Sequence, residues 1–300
     1  MKSYINICCL PVLFFIFVTG IAARTLTQDF IEPGAFEIDS LDQTWIDSSR
    51  SREIPVWLYI PQAQAADTSQ WPVAVISHGG GETGHSMTYL GRHLASHGIL
   101  TVCPTHRGSD RQWLNEALNR DVRLFSDIET TFGPRPGDIS YILDNLLHES
   151  IWKAHIDSQK IAVLGHCMGA STAFAMAGLS VNMPGAPGQR FLDARISSVV
   201  ALGPQIGQNR PFGLHPDSWS TVQTPALVVT GSDDFFWTQN AKDNPAVIRV
   251  PYDSRNTPSC YVMVQGAEHI AFTESDPFYP AGRRDPRHHD WINGLTLAFL

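Results

Sequence analysis

The chain has 300 residues, 43% of them hydrophobic, with 21 basic and 29 acidic side chains and a formal net charge of −8. That length and apolar content suffice for one substantial core in one domain. The acidic balance argues against nucleic acid or an anionic membrane as the main partner, and no internal repeat or low-complexity block is visible.

Met1-Lys2 precedes an almost wholly apolar run, Ile5 to Val18, and Thr19-Gly20-Ile21-Ala22-Ala23 ends in small residues. This is the pattern of a secretory signal peptide over residues 1–23, with cleavage expected after Ala22 or Ala23 and a secreted or periplasmic destination. Pro11 and the shortness of the run argue against a retained anchor, so no stable membrane insertion is expected after cleavage. Arg24 to Gln43 reads as irregular. Ile54 to Pro61 alternates like a strand exposed on one face, and Gln62 to Gln70 is a polar linker. Pro72 to Ser77 is a buried strand, Ser86 to His97 a helix stopped by Gly98, and Ile99 to Cys103 the next strand. Strand, helix and strand at this spacing make a right-handed parallel crossover.

Thr105 to Thr131 is charged and reads as a loop with a short helix. Arg135-Pro136-Gly137-Asp138 opens a helix through Leu147, with Ile139, Ile142, Leu143, Leu146 and Leu147 on one side. Strands follow at Ile161 to Gly165, Ile196 to Leu202, Thr224 to Thr230 and Cys260 to Val264. The Gly- and Pro-rich Gly203 to Ser220 is a loop over their carboxyl ends, and a terminal helix runs from about Arg287. The alternation predicts an α/β fold, a mostly parallel doubly wound sheet of about eight strands flanked by helices.

The strand at Ile161 runs into Gly165-His166-Cys167-Met168-Gly169 and then into a helix. Gly-x-Cys-x-Gly at a strand-to-helix turn is a nucleophile elbow with sulfur in place of oxygen. Glycines flank the nucleophile because larger side chains would strike the neighbouring strand and helix. The thiol then stands at the positive end of the following helix, which favours a thiolate.

A thiol of this kind needs a base and an acid to orient it. The strand ending at Thr230 runs into Gly231-Ser232-Asp233-Asp234, and that ending at Val264 into Gln265-Gly266-Ala267-Glu268-His269. Nucleophile, acid and histidine thus follow in the order this architecture uses, each past the carboxyl end of a strand. Asp234 is preferred as the acid, with Asp233 the alternative, and His269 is the base. For the oxyanion hole, one donor is the N–H of Met168. The second comes from His78-Gly79-Gly80-Gly81 after an earlier strand, with Gly80 chosen and Gly79 the alternative.

The remaining candidates read as structural. His93 and His97 stand four apart on a helix without a glutamate between them, so they form an exposed polar face and not a metal pair. His288-His289 is a solvated helix start. Trp219, Phe235, Phe236 and Trp237 lie on loops near the predicted site, where they line an acyl pocket or pack the core. Without the leader, Cys103, Cys167 and Cys260 remain; Cys103 and Cys260 fall on strands too far apart for a disulfide, which suggests two buried thiols and one reactive one. No cofactor or metal is expected.

Gly165-His166-Cys167-Met168-Gly169, Ser77-His78-Gly79-Gly80-Gly81, Asp234 and His269 together resemble the α/β-hydrolase superfamily, over roughly Pro55 to Leu300. The cysteine elbow is similar to that of dienelactone hydrolases. The wider pattern, including Arg135-Pro136-Gly137-Asp138-Ile139, resembles exported dienelactone-hydrolase-like esterases akin to platelet-activating-factor acetylhydrolases, which usually carry serine. The resemblance implies a single catalytic domain over residues 24–300 acting on a small-molecule ester or lactone. Dienelactone hydrolases place a glutamate near the second oxyanion position; here Glu82 lies too late in the loop to take that place. A thiolate suits esters with good leaving groups, enol lactones and thioesters, and would work through a thioacyl-enzyme. An acyltransferase using the same intermediate and a weakly catalytic binding protein are the alternatives.

Overall fold

The computed structural model describes residues 7–8, 28–62, 70–119, 132–148, 150–204, 213–214, 217–234, 249–253, 257–275 and 285–300. Four runs of apolar residues become the middle of a parallel sheet because their side chains are covered on both faces. These are β4 (Trp71–Ser77), β6 (Ile156–His166), β9 (Ser198–Leu202) and β10 (Ala226–Gly231). Successive residues point to opposite sides, so Val73 and Val75 join one core while Ala74 and Ile76 join the other.

Around them lie β5 (Leu100–Pro104) on one side and β11 (Ser259–Val264) on the other. The full order is β2-β3-β5-β4-β6-β9-β10-β11-β1, where β2 is Ile38–Asp47, β3 is Arg52–Pro61 and β1 is the two-residue Ile7–Cys8. The strands from β5 to β11 run parallel, and β2, β3 and β1 pair antiparallel with their neighbours. The remaining leader residues, the linker 63–69 and residues 120–131 lie outside the described residues. A small separate hairpin joins β7 (Ser180–Met183) to β8 (Ala186–Arg190).

Helix α1 (Thr88–Ser96) and the terminal α5 (Pro286–Phe299) cover one face, with Leu90, Leu94 and Ile292 fully buried there. On the other face lie α3 (Pro134–His148) and α4 (Met168–Met176), which bring Ile139, Ile142, Leu143 and Leu146, and Ala173 and Phe174. Between β5 and α3 the charged segment holds α2 (Arg111–Asn119).

Several expectations need correction. Arg24 to Gln43 is not irregular throughout: β2 pairs with β3 over ten residues, from Ile38 opposite Pro61 to Asp47 opposite Arg52. His93 is buried, and it and His97 meet the carbonyls of Phe30 and Glu32 through their Nε2 atoms, both at 3.0 Å; both anchor the N-terminal segment, His93 away from water and His97 still partly exposed. His288 is buried and the His289 ring stacks on Tyr89 with centroids 3.7 Å apart. Trp219 packs edge-on against Phe174 in the core; Phe235, Phe236 and Trp237 lie outside the described residues. Cys103, Cys167 and Cys260 are all free thiols, but Cys260 is only half-buried. Four strands separate β5 from β11, so Cys103 and Cys260 stand apart as expected.

Candidate active site

Cys167 sits between β6 and α4 at φ 55° and ψ −117°, a conformation side chains rarely adopt. The crowding around it explains why the turn holds there. A Cβ on Gly165 would lie 2.2 Å from the Gly169 carbonyl carbon, and one on Gly169 would lie 1.9 Å from the Ser77 carbonyl oxygen. Strand, turn and helix therefore pack backbone to backbone, and the Cys167 N–H is tied to the Leu202 carbonyl at 3.1 Å. Its residue is 8% exposed.

Asp234, past the end of β10, reaches His269, past the end of β11, with both carboxylate oxygens 3.1 Å from Nδ1. Gly203 at the end of β9 makes room for this pair, since a Cβ there would lie 3.1 Å from Asp234 Oδ2 and 3.3 Å from His269 Nδ1. Cys167 lies near enough for its charge to act on the imidazole. Burial pulls the His269 pKa down, but the charges of Asp234 and Cys167 and the hydrogen bond to Asp234 overcome it, leaving it well above the ordinary histidine value. Three residues predicted from separate strand ends thus lie together on one edge of the sheet, Asp234 on His269 and Cys167 within reach of its charge. Asp233 turns elsewhere, accepting from Ser232 Oγ at 3.1 Å.

In the glycine loop after β4, the Gly79 N–H donates to Glu82 Oε2 at 2.8 Å and the Gly81 N–H to the Ser109 carbonyl at 2.8 Å. The Gly80 N–H has no such partner among the described residues. On the helix side, Met168 is the first residue of α4, so its N–H has no acceptor one turn earlier within the helix.

Two further residues at the site went unassigned in the sequence. The first is Glu82, which is buried despite its late position, because the loop turns back at Gly81 (φ 74°). Its other oxygen lies 3.5 Å from Nδ1 of buried His166, whose ring leans on that of His269 with centroids 4.5 Å apart. The second is Arg135, fully buried on α3. Its guanidinium donates to the carbonyls of His78 (2.9 Å) and Gly79 (3.4 Å), to Ser109 Oγ (2.9 Å) and to Thr172 Oγ1 (3.4 Å). Burial lowers its pKa to about 10, against the charges of Cys167, Asp138 and Glu82, which favour the cation. The Arg135-Pro136-Gly137-Asp138 motif was the signal that could have found it.

Beneath the loop runs a second buried chain of polar groups. Asp138 accepts from Arg52 Nε (2.5 Å) and Nη2 (2.8 Å), Arg50 Nη1 (3.0 Å) and His106 Nδ1 (2.9 Å). Burial alone would raise its pKa, yet hydrogen bonds from His106 and Arg52 bring it down to about 2. His106 Nε2 meets Ser77 Oγ at 3.0 Å, and its backbone N–H donates to His78 Nε2 at 2.9 Å. Burial lowers His106 to about 4 and His78 well below the ordinary value, so both are neutral at pH 7. No group of three or more His, Cys, Asp or Glu residues among those described could hold a metal.

An elbow, an acid and a histidine thus stand together on one edge of a parallel sheet. The chain belongs to the α/β hydrolase fold family, whose match spans residues 72–225. It is similar in fold to a ferulic acid esterase from Streptomyces cinnamoneus, with 15% identity, a TM-score of 0.66, and coverage of 88% of this chain and 89% of that one. No curated protein matches the sequence.

Proposed function

We propose that the protein is a carboxylic ester hydrolase of dienelactone-hydrolase-like type that uses a Cys167–His269–Asp234 triad. The observation that carries this reading is a buried imidazole held by the Asp234 carboxylate and lying in the field of a cysteine on a strained elbow. The esterase activity of the structural neighbour agrees with it, and the apolar leader supports an exported setting.

With its pKa raised, His269 holds a proton near neutral pH and the sulfur opposite it is the nucleophile. Cys167 attacks the ester carbonyl, and the Gly80 and Met168 N–H groups receive the negative charge that develops on oxygen. His269 then gives its proton to the departing alkoxide as the C–O bond breaks, leaving a thioacyl-enzyme. Water, deprotonated by His269, attacks that thioester, and Cys167 leaves as thiolate. Asp234 fixes the imidazole tautomer throughout. Thiolate leaves a tetrahedral intermediate more readily than an amine does, so esters, lactones and thioesters are the substrate class and amides are not.

The test is hydrolysis of a short-chain p-nitrophenyl ester series by the wild type, Cys167→Ala and Cys167→Ser, with and without iodoacetamide. Turnover lost in Cys167→Ala and on alkylation is expected. Turnover that persists after complete alkylation of Cys167 would overturn the cysteine mechanism.

A further inference from the structure

Resting on that reading, the geometry points to His78 and Arg135 as positioning residues that hold the two halves of the oxyanion hole in mutual register. Consider first the loop. The Gly79 carbonyl accepts from His78 Nδ1 at 2.6 Å and, at 3.4 Å each, from Arg135 Nη2 and the Glu82 N–H. A trans peptide points its C=O and N–H in opposite directions. Holding the Gly79 oxygen on His78 and Arg135 therefore aims the Gly80 N–H away from both, as the one loop glycine N–H without an internal partner among the described residues.

His78 can do this because its tautomer is determined. Its Nε2 accepts the His106 backbone N–H, so the ring hydrogen must be on Nδ1, facing the Gly79 oxygen. His106 is itself held between Asp138 and Ser77.

Arg135 adds the other half. The same Nη1 that donates to the His78 carbonyl reaches Thr172 Oγ1 on α4, and Thr172 Oγ1 donates to the Met168 carbonyl at 3.0 Å. One planar, permanently charged group thus touches the loop that carries Gly80 and the helix turn that carries Met168. A buried arginine is costly unless each donor is used, and Nε also has a partner in Ser109. Its cation also lies within the field of Cys167.

The experiment compares two reactions of Cys167 that differ in one requirement. Ester acylation develops an oxyanion; alkylation by iodoacetamide displaces iodide from carbon and develops none. In His78→Leu, kcat for p-nitrophenyl acetate is expected to fall about 100-fold, the scale of a lost oxyanion donor. KM and the alkylation rate constant should stay within about threefold. His78→Asn, whose amide N–H can stand in for Nδ1–H, should recover about tenfold of that loss. Arg135→Lys keeps the charge and loses the fork, and carries the same comparison should the leucine variant fail to fold. Acylation and alkylation falling in equal proportion, or an unchanged kcat in His78→Leu, would overturn the positioning role. Turnover insensitive to iodoacetamide overturns the cysteine mechanism alone, because the His78→Leu and His78→Asn pair still reads the loop through kcat.

Discussion

At the scale of single residues, the two aspartates after β10 separate cleanly by contact. Asp234 faces His269 with both oxygens while Asp233 faces Ser232. Asp234→Asn is therefore expected to lower kcat about 10³- to 10⁴-fold, and Asp233→Asn to change it by no more than about threefold. Steady-state kinetics on the two variants decides this, and the reverse ranking would move the acid to Asp233. The pH profile gives a second handle. His269 lies well above its ordinary value of 6.5, so the imidazolium persists through and beyond that pH. Turnover should stay level from pH 6.5 upward until the raised value is passed, and then fall as His269 loses the proton the departing alkoxide takes. In Asp234→Asn, the loss of that carboxylate's charge should bring the alkaline limb down; an unmoved limb would mean that Asp234 does not support the proton on His269.

The elements show why the chemistry sits where it does. Gly169 has no room for a side chain because β4 and α4 meet at backbone distance, and a methyl there would overlap the Ser77 carbonyl. Gly169→Ala should destabilise by on the order of 4 kcal/mol, measured by urea unfolding, whereas a loss below about 1 kcal/mol would show that the turn can open. The same packing made much of the site legible in the sequence. Strands covered on both faces are continuous apolar runs, and the residues after them fall on one edge, which is how Cys167, Asp234 and His269 could be placed. Where that signal fails, so does the reading. β2 lies at the sheet edge with mostly polar, solvent-facing residues, and so lacked an apolar run. Glu82 was dismissed on spacing because a glycine at positive φ folds the chain back on itself. The network under the loop draws Arg52 from β3, Ser77 from β4, His106 from the turn after β5 and Asp138 from α3, and no local pattern links four elements brought together only by folding.

For the whole molecule, the buried histidines set the response to acid. His106, depressed to about 4, and His78, lower still, are neutral when folded and titrate near 6.5 when unfolded. A depressed histidine binds its proton first in the unfolded chain, so its stability contribution is lost as pH falls from 6.5 through the folded value. For His106 that loss is about 3 kcal/mol in order of magnitude. Asp138 adds a further loss between its ordinary 3.8 and about 2. His269 works in the opposite sense: its contribution is fully present below 6.5 and fades only above its raised value, so it does not offset the acid loss. Urea midpoints should therefore drop between pH 6.5 and 4, and more shallowly in a folded His106→Gln variant; equal slopes would place the acid sensitivity elsewhere.

The backbone at residue 167 carries one more consequence. Its φ of 55° and ψ of −117° are imposed by the strand and helix on either side, whatever atom ends the side chain. Sulfur and oxygen should then be exchangeable passengers in a fixed socket, and Cys167→Ser should fold as the wild type does. Glycine alone relaxes there, so Cys167→Gly is expected to exceed Cys167→Ala in unfolding free energy by about 1 kcal/mol, even after the freedom glycine adds to the unfolded chain. Chemical denaturation of the two inert variants measures that gap. It is the conformational tension the native protein retains in order to present a reactive atom, so the most durable version of this molecule would be one unable to do anything.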